Sequence, residues 1–113
     1  MVERGSGAIA VTGNTAAFRG IPSFALFAPT KAAQRILARA LARDLGPKGV
    51  HVAYVNIDAV INVPWTRDRF AAHKPDEFFI EPADIADEVF HVVHQPRSAW
   101  SFDVEIRPFG EKW

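Results

Sequence analysis

Phe27-Ala28-Pro29-Thr30-Lys31 opens an alanine-rich segment, FALFAPTKAAQRILARALARDL over residues 24–45, and the reading of this segment decides how the rest of the chain is read. Ile36, Leu37, Ala40, Leu41 and Leu45 recur at helical spacing on one face, while Arg35, Arg39 and Arg43 recur every four residues on another. Pro29 is tolerated in the first turn, where its missing N–H costs no hydrogen bond. Gly46-Pro47 ends the helix, because proline cannot continue it. The many alanines leave room for close approach of a neighbour on more than one side.

Working outward, Ala8-Ile9-Ala10-Val11 is a short apolar run between Gly7 and Gly13, the pattern of a strand covered on both faces. Residues 14–23 read as a loop broken by Asn14, Gly20 and Pro22. Val50-His51-Val52-Ala53-Tyr54-Val55 is rich in β-branched and aromatic residues and reads as a second strand. A strand, a helix and a strand in this order form a βαβ unit with parallel strands. Residues 56–64 read as a loop and 65–73 as a short helix. Residues 82–93 form a clearer helix, with Pro82 near its first position and Asp84, Asp87 and Glu88 toward its positive end. Trp100 to Ile106 alternates apolar and polar residues, which marks a last strand. The order strand, helix, strand, helix, helix, strand predicts an α/β fold: part of a doubly wound, Rossmann-like parallel sheet.

With 113 residues, the chain suits one small domain or part of a larger one. Thirteen basic and 13 acidic residues cancel, so no electrostatic footprint for nucleic acid or an anionic membrane is expected. The absence of cysteine excludes a disulfide framework or a thiolate metal site. No signal-peptide core or membrane-length apolar run is visible. These features lead to the expectation of a cytoplasmic protein.

Taken together, these pieces resemble the C-terminal half of a short-chain dehydrogenase/reductase, and the resemblance covers nearly the whole chain, 1–113. Phe27-x-x-x-Lys31 is similar to the family's Tyr-x-x-x-Lys element, and Gly7-Ala-Ile-Ala-Val-Thr-Gly13 to the strand that delivers its catalytic serine. Leu45-Gly-Pro-Lys-Gly-Val-His-Val resembles the entry into the next strand. Asn56-Ile-Asp-Ala-Val-Ile-Asn62 stands where the family has Asn-Pro-Gly-x-Val-x-Thr beside the nicotinamide, and 82–89 resembles the last helix. The resemblance implies NAD or NADP as cofactor and a small-molecule substrate. It also implies a homodimer or homotetramer packed through the helix 24–45, with no nucleic acid or membrane partner.

The resemblance assigns the catalytic positions to Lys31, Asn14 and Phe27, and cofactor contacts to Lys31, Ile57, Val60 and Asn62. Two of the catalytic positions depart from the pattern. In the family the tyrosine hydroxyl exchanges a proton with the substrate; the lysine lowers the tyrosine pKa and binds the nicotinamide ribose; the serine steadies the substrate oxygen. Here Phe27 has no ionisable proton, and Asn14 stands at the serine position. Asn14 can donate and accept hydrogen bonds but is no acid. Losing one general acid–base group costs about 10² to 10⁴ in rate. Ile57-Asp58 replace the usual Pro-Gly, and Asn62 the usual threonine. The Gly-rich phosphate loop and first strand of the nucleotide-binding half have no counterpart in 1–113.

The resemblance therefore implies an atypical NAD(P)-dependent oxidoreductase, present as a C-terminal portion inactive by itself. A non-catalytic relative acting as an interaction or dimerisation module is the alternative. If half of the sheet is absent, the strand around 8–11 has an unpaired edge, and a fragment or a tight oligomer is expected.

Gly5-x-Gly7-x-x-Ala10 formally matches a dinucleotide fingerprint, but that motif must open a helix and this one opens a strand. His91 and His94 lie three apart on a helix without an obvious third ligand, so no metal is expected. Tyr54 reads as a core residue. Trp65, Phe70, Phe78 and Phe79 form either an apolar lid or a cover for the core.

Overall fold

A computed structural model describes residues 1–111 and shows five strands and three α-helices. Strand β1 (Gly7–Asn14), helix α1 (Phe27–Leu45) and strand β2 (Val50–Ile57) form the expected βαβ unit. Strand β3 (Val60–Ile61), helix α2 (Pro64–Phe70), strand β4 (Phe79–Ile80), helix α3 (Pro82–Val93) and strand β5 (Asp103–Ile106) follow. The main sheet runs β1-β2-β5 and is parallel throughout, which confirms the predicted α/β, Rossmann-like class. The second helical segment, expected over 65–73, is α2 followed by a 3₁₀ turn at Ala71–His73.

All eight residues of β2 are buried, as its place between two strands and two layers of helix requires. Successive side chains on a strand point to opposite faces. Val55 and Ile57 pack with Ile80, and Ile85 and Val89 of α3 close over them. Tyr54 therefore faces the other layer, together with its register partner Asp103. There α1 lies over them, with the Arg35 guanidinium forming a two-pronged pair with the Asp103 carboxylate, Nε to Oδ1 at 3.0 Å. The same guanidinium stacks 4.5 Å from the Phe18 ring.

Three expectations change. First, β1 was expected to be covered on both faces, but Ala10 and Thr12 are exposed, while its place at the sheet edge agrees with the unpaired edge expected there. Second, the predicted apolar stripe of α1 is not the buried one: Ile36 and Leu37 are exposed, and the sheet-facing row is Ala28, Arg35, Ala38 and Ala42. Alanine, not the larger residues, lets the helix approach the sheet, and Arg35 leaves the solvated row to reach Asp103. Third, 56–64 is not all loop, because β2 continues to Ile57 and the two-residue β3 pairs with β4 in parallel.

Pro29 sits in the first turn of α1, as expected. The helix does not turn away at Gly46, whose φ remains right-handed. A 3₁₀ turn at Gly46–Lys48 follows, and the chain reverses at Gly49, with φ +83°. A side chain there would meet the Gly5 carbonyl at 2.2 Å, so glycine is needed for both conformation and space.

Candidate active-site cleft

Parallel sheets hold ligands outside the carboxyl ends of their strands. Here Asn14 and Ile57, the last residues of β1 and β2, are register partners at that end. They open onto a cleft of about 340 Å³ that also includes Phe27, Asp58, Val60 and Phe78 among its lining residues. Of the residues expected at the site, the fold thus brings Asn14, Phe27, Ile57 and Val60 to one cleft.

Asn14 ends β1 and caps the following 3₁₀ turn, its Oδ1 accepting from the Ala16 N–H at 3.1 Å. With the oxygen so used, its Nδ2 hydrogens are the group left to meet a ligand oxygen. Lys31 lies one helical turn beyond Phe27, half-buried, with Nζ donating to Gln34 Oε1 at 3.3 Å and standing 5.6 Å from the Phe27 ring centre. It stands behind the ring and does not line the cleft. Asn62 is placed elsewhere. Its Nδ2 donates to Glu81 and its Oδ1 accepts from Arg67 Nε at 2.6 Å, so both ends of the amide hold the β3–α3 region together.

Behind Asn14 the site is set by a close approach. Tyr54 is fully buried, and a side chain at Gly13 would fall 1.8 Å from its hydroxyl oxygen. Gly13 has no left-handed φ, so the need for glycine is one of space alone. Burial pushes the Tyr54 phenol above the ordinary tyrosine value, against the opposing pull of the Arg35 guanidinium. The Asn14 backbone lies beside the hydroxyl without completing a hydrogen bond. Tyr54 is a core residue, as read from the sequence, and does not line the cleft.

Sequence reasoning noted Asp58 only as a departure from the family pattern and gave it no role. In the fold it is 5% exposed and lines the cleft next to Ile57. Its signals in the sequence were the departure itself and an acid set between the apolar Ile57 and Ala59. The aromatic cluster divides: Phe79 is core, Phe78 packs edge-on against it and reaches the cleft, and Trp65 is exposed. Among the described residues no group of three or more His, Cys, Asp or Glu side chains is placed to hold a metal, and no helix is long and apolar enough to cross a membrane.

The family model for short chain dehydrogenase matches residues 1–72. The chain belongs to this family of oxidoreductases. It is 37% identical to a short-chain dehydrogenase from Rhodopseudomonas palustris, whose structure superposes with a TM-score of 0.73 and covers 96% of this chain and 42% of that one. It is 28% identical over 112 residues to an uncharacterized oxidoreductase of Staphylococcus aureus strain USA300, covering 96% of this chain and 45% of the relative. The closed form of a serine dehydrogenase complexed with NADP+ is 26% identical, with a TM-score of 0.79 over 100% of this chain and 48% of that one. The chain thus spans about half the length of the relatives it matches.

Proposed function

We propose that residues 1–113 are the C-terminal half of an atypical NAD(P)-dependent oxidoreductase and supply its nicotinamide and substrate side. The observation that carries this reading is the single cleft at the strand ends, which gathers Asn14, Phe27, Ile57 and Val60 with Lys31 one turn behind. The residues fit the cofactor's nicotinamide end. The volume lies in the range of small-ligand sites, and the lining combines apolar side chains with the polar Asn14, Thr15, Asp58 and Glu111. When bound, the cofactor would supply the hydride. Ile57 and Val60 would pack against it, and Lys31 would turn from Gln34 to the ribose. Asn14 would orient a substrate oxygen through Nδ2. Phe27 presents a ring without a proton, so classical carbonyl reduction is expected to be slow. Asn62, held by Glu81 and Arg67, would act on the cofactor only through the loop it fixes.

The exposed Ile36 and Leu37, on the outer face of the helix expected to mediate dimerisation, favour a second reading as a non-catalytic interaction module. Titration of NADH and NADPH into the protein from the longest reading frame that contains this chain separates the two. Binding with slow hydride transfer, weakened by Lys31→Ala, supports the oxidoreductase. No binding of either nucleotide overturns it.

A further inference from the structure

Asp58 places a carboxylate, 5% exposed and immediately after the end of β2, in a cleft lined also by the apolar Phe27, Val60 and Phe78 and by the polar Asn14, Thr15 and Glu111. Its Oδ2 is sealed from solvent and accepts no hydrogen bond. The nearest guanidinium nitrogens, on Arg19 and Arg107, stand 3.7 and 4.0 Å from it. Those distances allow charge compensation but exceed hydrogen-bond reach. Arg107 also pairs with Glu105 at 3.1 Å, so the two guanidiniums are shared between two carboxylates, and Asp58 Oδ2 still lacks a donor. A buried acceptor in that state is costly, and a rotation of the carboxylate toward the cleft would let a ligand donor satisfy it. Because the two guanidiniums already offset the Asp58 and Glu105 carboxylates, the group that completes the site is a neutral donor rather than a third cation. The largely apolar wall formed by Phe27, Val60 and Phe78 suits the body of such a ligand.

We propose that Asp58 is the specificity-determining acceptor of this cleft and recognises a neutral hydrogen-bond donor on a small, largely apolar ligand. The donor is either the hydroxyl of an alcohol or the amide of a nicotinamide-type carboxamide. The proposal rests on the reading of this cleft as the ligand site, and it uses a residue type that the family pattern does not carry at this position. The test is binding of four probes to isotope-labelled protein, followed by shifts of the Asn14, Phe27 and Val60 amides. Benzyl alcohol carries a hydroxyl donor, nicotinamide an amide donor, benzaldehyde no donor and benzylamine a cation.

At least one neutral donor is expected to bind about tenfold tighter than benzaldehyde, the worth of one hydrogen bond to a charged acceptor. Whichever donor shows the preference identifies its source. Asp58→Leu, which keeps the branched outline and removes every acceptor, should erase the preference. Asp58→Asn, which keeps the shape and a neutral acceptor, should reduce it to about threefold. Equal binding of donors and benzaldehyde overturns the proposal, as does tightest binding of benzylamine, an undiminished preference in the variants, or no shift with any probe. The nucleotide titration answers separately for the oxidoreductase reading, so a dinucleotide that binds equally well to Asp58→Leu would sink the role of Asp58 and leave that reading standing.

Discussion

Gly13→Ala is the substitution that most directly tests how the fold sets the site. An added Cβ would stand 1.8 Å from Tyr54 Oη, 2.1 Å from Cζ and 2.8 Å from Cε2, where real contacts are never below 3.0 Å. The ring would have to retreat by more than an ångström. It has nowhere to go, being fully buried between α1 and the sheet. Overpacking of this kind costs about 3 kcal/mol. That is a large fraction of the roughly 5–15 kcal/mol by which a domain is stable. With a urea m-value of about 1–3 kcal/mol per molar, the unfolding midpoint should fall by about 1–3 M. The same step in a Tyr54→Val background, where all three clashing atoms are gone, should cost under about 0.5 kcal/mol beyond the Tyr54→Val change itself. The difference is the coupling energy of a double-mutant cycle. Equal cost of Gly13→Ala in both backgrounds would refute the reasoning, because the penalty would then come from the β1 backbone and not from the ring. A loss below about 0.5 kcal/mol in the native background would refute it as well.

Tyr54→Phe should be close to neutral at pH 7, since it removes a hydroxyl without a hydrogen-bond partner, and should change the alkaline limb of stability. The folded phenol titrates above the unfolded value of about 10, so its contribution is fully present below that pH and is lost as pH rises through 10 toward the folded value. Urea unfolding across pH 8–11 should therefore show a flatter curve for Tyr54→Phe than for the native chain. Arg35→Ala should lower stability by about 1 kcal/mol, because Asp103 is partly exposed and solvent screens the pair. Arg35→Lys should recover little of that loss, lacking the two-pronged geometry and the stacking on Phe18. Phe27→Tyr restores a phenol beside Lys31 and should raise NAD(P)H-dependent carbonyl reduction by about 10²-fold in the protein that binds nucleotide. An unchanged rate would show that the phenol alone does not restore proton transfer.

Local chemistry explains what could be read in advance. Helix α3 runs from Pro82 to Val93 as expected because a proline fixes its first turn and Pro96 follows its end. That Asn14 and Phe27 would share a cleft was implied by the family resemblance rather than by local spacing. The buried face of α1 did not. Alanine rows and leucine rows have the same period, and only the flatness of the sheet beneath chooses the alanines. Arg35 looked like a solvated row member because its partner lies 68 positions away in sequence. The β3–β4 pair has two residues per strand, too few for any alternation to register. Asp58 was visible as an acid replacing the family's glycine, but its burial depends on Arg19 and Arg107 arriving from distant segments.

Changes at the chemical positions and changes at the supporting ones have very different consequences for the chain. Phe27 is 44% exposed at the start of α1, so a phenol or a plain ring there costs the fold little. Asn14 supplies the same turn-capping oxygen that a serine could supply, and the 3₁₀ turn after β1 survives the exchange. The two hydroxyl-bearing catalytic positions can therefore change while the cleft keeps its shape. Gly13 and Tyr54 have no such freedom, because each occupies space the other would need. With a plain ring at Phe27 the chain still presents a cleft at the strand ends. Under the reading proposed above, the ionisable groups lining that cleft, Asp58 and Glu111, are what it offers a ligand in place of the missing hydroxyls.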